Sequence, residues 1–193
     1  DATWAGKPAD WSGWSIDNPS NNYYYSFLRA TMLLGLGAEG ELASAAGWKA
    51  FFRTTKIQQQ LVPTFESDLV GGGSREGTGY GTAMMRLWEV YDIWEESTGE
   101  HIALLTGHSR ASLVQFMHTI VPTLDAVSLN GDHSRDSTGA LFDYHRHYAQ
   151  SLAKVVGDTT LSGRVRSLFD ASSVPQMQSG FMLVHDFLYD MTA

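Results

Sequence analysis

Apolar residues recur at helical spacing along most of the chain, and nowhere do they alternate as a strand requires. Residues 22–38, NYYYSFLRATMLLGLGA, are clearly polar after Asn22 only at Ser26, Arg29 and Thr31, apart from the tyrosine hydroxyls. A segment apolar all round predicts a helix buried on most sides. Ser20 or Asn21 would cap it, and Gly37 and Gly40 mark its end. A second helix is predicted over 41–56, with Leu42, Ala45, Trp48 and Phe52 on one face. Pro63 makes 61–65 a break or a short element. After residue 82, Met84, Leu87 or Trp88, Tyr91 and Trp94 define a long helix ending near Ser97-Thr98-Gly99. Leu113, Phe116, Met117 and Ile120 define another over 110–121, and Leu141, Tyr144, Tyr148 and Leu152 one over 141–156. Shorter helices are predicted at 161–169 and 181–191. The expectation is an all-α fold of about seven helices joined as antiparallel pairs, without strict sequence repeats.

Polar and glycine-rich stretches interrupt this pattern. Residues 68–82, DLVGGGSREGTGYGT, hold six glycines and form a loop with unusual backbone angles. Residues 130–136, NGDHSRD, form a second polar loop. Residues 1–20 set Trp4, Trp11 and Trp14 among turn formers. Those rings suit either stacking on sugars or closing the edge of the helical core. Polar loops on a helical scaffold are where sites usually lie.

Composition narrows the classes. With 43% hydrophobic and 18% charged residues among 193, the chain supports a packed core and is not disordered. That length suits one domain or a piece of a larger one. A net charge of −8 argues against nucleic-acid binding driven by overall charge. Without cysteine there are no disulfides, thiolate metal sites or cysteine nucleophiles. No apolar run has the length of a membrane span. The start, Asp-Ala-Thr-Trp, lacks the basic and apolar regions of a signal peptide, which is expected if one was removed or the chain begins at a cut.

Four segments carry candidate chemistry. In Arg75-Glu76-Gly-Thr-Gly-Tyr80 the glycines admit close backbone approach to a ligand, and Tyr80 stands at the head of a helix. A tyrosine there is a proton donor or, deprotonated, a base; it equally suits packing under a loop, with Glu76 as a helix-terminus charge. In the 130–136 loop, His133 sits among carboxylates that tune it, and Arg135 suits a bidentate bond to a substrate carboxylate. A capped helix start at Asp136 or Ser137 explains the same residues. Asn21 and Asn22, ahead of Tyr23, Tyr24 and Tyr25, offer amides to a ligand or an ordinary helix cap. Gly107-His108-Ser109-Arg110-Ala111 imitates the serine-hydrolase nucleophile elbow, but that motif needs a preceding strand and a parallel sheet. His108 and His118, ten apart, are expected at the surface. His145 and His147, two apart, point to different helix faces and do not suggest a shared metal.

Taken together, Asn18-Pro-Ser-Asn-Asn-Tyr-Tyr-Tyr25, Gly73-Ser-Arg-Glu-Gly-Thr-Gly-Tyr80 and Gly131-Asp-His133 resemble segments of the heparinase II/III-like polysaccharide lyases, in the same order and in helical surroundings. The Glu-Gly-Thr-Gly-Tyr piece is the most specific. The resemblance implies a partial (α/α) toroid, with the rest of the toroid and a C-terminal β-sandwich lying in a missing domain or companion chain. It implies β-elimination on a uronate within an acidic polysaccharide, by a periplasmic or secreted protein. The residues themselves indicate no cofactor and no metal site. Tyr80 would be the acid and could also serve as the base, Asn22 or its neighbour Asn21 would neutralise the uronate carboxylate, and His133 would be a base or a supporting group. Arg75 and Glu76 would position the sugar or orient Tyr80, with Arg135, Tyr24 and Trp14 as further substrate contacts. Many relatives place a histidine beside the asparagine where this chain has Tyr23, which leaves the base to Tyr24 or His133. The net charge gives a polyanion no long-range attraction, so local cations at Arg75 and Arg135 would have to serve. Two other classes fit the residues: an α/α-barrel glycoside hydrolase pairing Glu76 with Asp132 or Asp136, and a carbohydrate-binding helical scaffold without catalysis.

Overall fold

The computed structural model describes residues 16–77, 84–131, 139–141 and 143–178. Helix α1 spans Asn22–Gly37. Asn21 starts it: its side-chain oxygen accepts the Tyr23 N–H at 2.9 Å, the bond that the first turn of a helix cannot supply for itself. One face, Tyr24, Tyr25, Leu28, Thr31, Met32 and Gly35, is buried. The opposite face leaves Tyr23, Leu33 and Leu34 exposed. The expectation of a helix buried on most sides is therefore corrected to a helix with one interior face.

The next helix runs unbroken through α2 (Ala45–Ala50), a π-helical stretch (Phe51–Leu61) and α3 (Val62–Ser67). Leu42, 58% exposed, lies ahead of it and does not share its buried face. Within the π stretch the interior positions are Phe52, Lys56, Ile57 and Leu61. They return every four to five residues, as wider i→i+5 turns require. Pro63 does not break the helix; it stands where the π-helical turns give way to α3.

The π stretch carries a buried charge. Lys56 Nζ lies 2.6 Å from both the Ile16 carbonyl and Asp17 Oδ1. Its ammonium also faces the Phe27 ring at 4.9 Å. Burial holds this ammonium below the usual lysine range, and the bond to Asp17 opposes that effect.

Helix α4 (Met85–Thr98) buries Leu87, Trp88, Val90, Tyr91 and Trp94, and ends at Gly99, whose φ of 75° suits the left-handed cap. A 3₁₀ turn (Ile102–Leu104) leads to α5 (His108–Thr119). Helices α6 (Asp143–Val156), α7 (Thr159–Ala171) and the single turn α8 (Pro175–Gln178) follow. Asp158 caps α7 by accepting the Thr160 and Leu161 N–H groups. Helix α6 packs against α4, α5, α7 and α8, while α1 packs against α2 and α4. Trp88, Phe52, Phe65, Tyr91 and Tyr148 join the aliphatic residues between them in one core. The described residues form no strand, only isolated bridges. The fold is all-α. The helix expected at 181–191 and the tryptophan-rich stretch before residue 16 lie outside the described residues.

Candidate functional site

The glycine loop is held down from α5. Gly72, with φ of 85°, crosses the α5 backbone so closely that a Cβ there would stand 2.3 Å from the Ser112 nitrogen. Gly73 donates its N–H to Ser112 Oγ at 2.9 Å. Its carbonyl accepts from His108 Nε2, also at 2.9 Å, so that nitrogen carries the proton. His108 is only 1% exposed, and its ring stacks on Phe65 at 3.7 Å between centroids. Burial pushes its pKa down to about 4, the bond to Gly73 opposing. His108 is thus a neutral interior clamp, which corrects its expected place at the surface; His118 is exposed.

Ser109, its neighbour, is also buried, with Oγ 3.4 Å from the Ala103 carbonyl. A 3₁₀ turn precedes it rather than a strand. The geometry of a nucleophile elbow is not formed.

Beyond Gly73 the loop turns toward two other segments. Glu76 Oε1 accepts from Asn22 Nδ2 at 3.3 Å, across 54 residues of chain. Gly77 pairs with Gly131 as an isolated antiparallel bridge. A Cβ on Gly77 would meet the Asn130 carbonyl at 2.3 Å, and one on Gly131 would meet the Glu76 carbonyl at 2.7 Å. Both glycines have positive φ, so at this crossing any side chain is excluded by both space and backbone conformation. The three loops singled out from sequence therefore meet at one place.

A small cleft opens beside that crossing, between the glycine loop, α5, residues 127–130 and α6. Ser74, Gln115, Phe116, Asn130, His145 and Tyr148 are among its walls. Gln115, Phe116, His145 and Tyr148 escaped the sequence reading as site residues. Their one signal was polar atoms on otherwise apolar helix faces, with His145, Tyr148 and Leu152 at i, i+3 and i+7.

The other expected residues divide as follows. Asn21 is the α1 cap. Tyr24 is fully buried and donates its hydroxyl to the Lys56 carbonyl, and burial raises its pKa well above the ordinary tyrosine value. It serves the interior; as a substrate contact or stand-in base it is corrected, since its hydroxyl reaches no open surface. Arg75 is exposed and pairs with Asp68 at 3.2 Å. Trp14, Tyr80, Asp132, His133, Arg135 and Asp136 lie outside the described residues.

Among the described residues no group of three or more His, Asp or Glu is placed to hold a metal, and no helix is long and apolar enough to cross a membrane. No family profile, curated protein or solved structure matches the chain.

Proposed function

We propose that the chain forms the helical side of a polysaccharide lyase site that cleaves a uronate-containing polymer by β-elimination. The observation that carries this reading is the meeting of Asn22 with Glu76 and of Gly77 with Gly131. It brings the described parts of the three lyase-like segments together beside one cleft.

In this reading Asn22 directs its amide at the uronate carboxylate, and Glu76 holds that amide in place. Neutralising the carboxylate makes the C5 proton removable. A base, His133 or the Tyr80 phenolate, takes the proton. The electron pair left on C5 forms the C4=C5 double bond, the C4–O bond breaks, and Tyr80 protonates the departing oxygen. The remaining helices of an (α/α) toroid and a β-sandwich would complete the cleft, and a polymeric substrate places the protein in the periplasm or outside the cell.

The test is ultraviolet absorbance of the unsaturated product. The protein is incubated with alginate, heparan sulfate, hyaluronan, chondroitin and ulvan in turn. At least one polymer is expected to give a rise, abolished by Tyr80→Phe and slowed about 10²–10³-fold in kcat by Asn22→Ala. Folded protein that gives no rise on any polymer would sink the reading.

A further inference from the structure

We propose that Asn130 is a site of spontaneous chemical modification: its side-chain amide closes on the Gly131 nitrogen, releases ammonia, and in doing so unmakes the Gly77–Gly131 crossing. The proposal goes beyond the lyase reading and does not depend on it.

The chain has four asparagines, and their surroundings separate them. The reaction needs a following N–H to attack the side-chain carbonyl carbon, with little bulk on the attacking residue. Asn18 is followed by Pro19, which has no N–H to give up. Asn21 is only 6% exposed, and its side-chain oxygen is committed to the Tyr23 N–H. Asn22 is followed by Tyr23, whose N–H is that same donor, and its own amide is bonded to Glu76. Asn130 is exposed, stands outside the helices, and is followed by glycine. Gly131 sets no Cβ in the way of the ring that must form. The modified group also sits on the crossing itself. The Asn130 carbonyl and side-chain oxygen stand 2.3 Å and 2.6 Å from the point that a Gly77 Cβ would occupy.

The steps balance without an oxidant or a cofactor. The Gly131 nitrogen loses its proton to solvent base, and its electron pair attacks Asn130 Cγ. The N–Cγ bond forms and the Cγ–Nδ2 bond breaks. Nδ2 takes a proton from water and leaves as ammonia. Water then adds to one of the two carbonyl carbons of the resulting five-membered imide and breaks that carbon's bond to the ring nitrogen. Opening at Cγ gives aspartate. Opening at the backbone carbonyl carbon gives isoaspartate, in which the main chain runs through Cβ and Cγ.

Each product disturbs the crossing. Isoaspartate lengthens the backbone just before Gly131, where even an added Cβ would meet the Glu76 carbonyl at 2.7 Å. Aspartate replaces an amide that donates and accepts with a carboxylate that only accepts. The glycine loop thereby loses its pairing with residue 131, and the cleft loses the wall that Asn130 supplies.

The experiment keeps the folded protein, without substrate, in warm buffers of rising pH beside protein unfolded in urea. The folded sample is held for about tenfold longer than the unfolded chain needs for full conversion. Peptide mass mapping reads the amides, and fragmentation separates aspartate from isoaspartate. The peptide holding Asn130 is expected to become about 1 Da heavier in the folded protein, in both isomeric forms. Its rate should rise with pH, because the attacking nitrogen must lose its proton. Asn18, Asn21 and Asn22 should keep their amides. Hydrogen exchange at Gly77 should accelerate in the aged protein, with that at Gly73 unchanged. Asn130→Gln, which would have to close a larger ring, should keep both its mass and its exchange pattern through the same treatment. Folded protein that retains the Asn130 amide while the unfolded chain loses it overturns the proposal, as does equal conversion of Asn21 or Asn22. Conversion at Asn130 with unaltered exchange at Gly77 overturns the unmaking of the crossing. These readouts use no polysaccharide, so their outcome is separate from that of the absorbance assay.

Discussion

Helices α1 and α5 both begin beside the glycine loop, and they grip it in different ways. The α5 end uses backbone and buried groups: Gly72 lies on the Ser112 nitrogen, and Gly73 is bonded on both its N–H and its carbonyl. Such bonds are sheltered from water, and breaking one leaves a buried polar group unsatisfied. The α1 end uses a side-chain bond, Asn22 to Glu76, at 3.3 Å and part-buried. At that length it is a weaker bond than the two made by Gly73. The loop is therefore pinned near residue 73 and adjustable near residue 76. The loop thus joins a firmly held base to a more weakly held tip.

The sharpest way to break the fixed end is Gly72→Ala. It adds a Cβ 2.3 Å from the Ser112 nitrogen at a φ of 85°, and a loss of about 3–5 kcal/mol in urea unfolding is expected from overpacking and backbone strain together. A loss too small to measure would mean that the loop lifts off α5 without cost.

The next effect is a pH dependence. His108 is held at about 4 in the fold, below its ordinary 6.5. Between those values the unfolded chain binds more protons than the folded one. Stability therefore falls as pH drops through that window, by up to about 1.4 kcal/mol per pH unit. His108→Gln should flatten that slope in unfolding curves taken across the window; an unchanged slope would assign the titration to another group.

Smaller still are the two adjacent asparagines, which sharpen the contrast at the adjustable end. Asn21→Ala should cost about 1 kcal/mol through loss of the α1 cap, with hydrogen exchange of the first turn accelerated and that of residue 76 unchanged. Asn22→Ala should cost below about 1 kcal/mol, with exchange at Glu76 and Gly77 accelerated and the α1 cap intact. Identical exchange patterns for the two variants would mean that the pair acts only as a helix start.

Local pattern made much of this structure readable. Asn21 before an apolar run, and Gly99 after one, mark helix ends through bonds made within a few residues. The π stretch was not readable, because its interior positions return with a period that a 3.6-residue template misses. His108 looked like a surface residue because the carbonyl that satisfies it belongs to Gly73, 35 positions earlier. The loops were recognised as candidates, but their meeting was not, since Gly77 and Gly131 touch through backbone and have no side chains to form a pattern. Gln115 was hidden for a related reason: an amide on a helix looks the same in sequence whether it faces solvent or a cleft.

The enclosed ammonium of Lys56 has a practical consequence. Lys49 and Lys154 reach solvent, whereas the Lys56 side chain has no exposed surface and is closed in beside Asp17. An amine-reactive reagent will modify the first two in the folded protein. It reaches Lys56 only in molecules where residues 16 and 17 have moved away. The rate at which Lys56 is labelled thus serves as a clock for the opening of that single contact, readable by mass spectrometry without unfolding the rest of the chain.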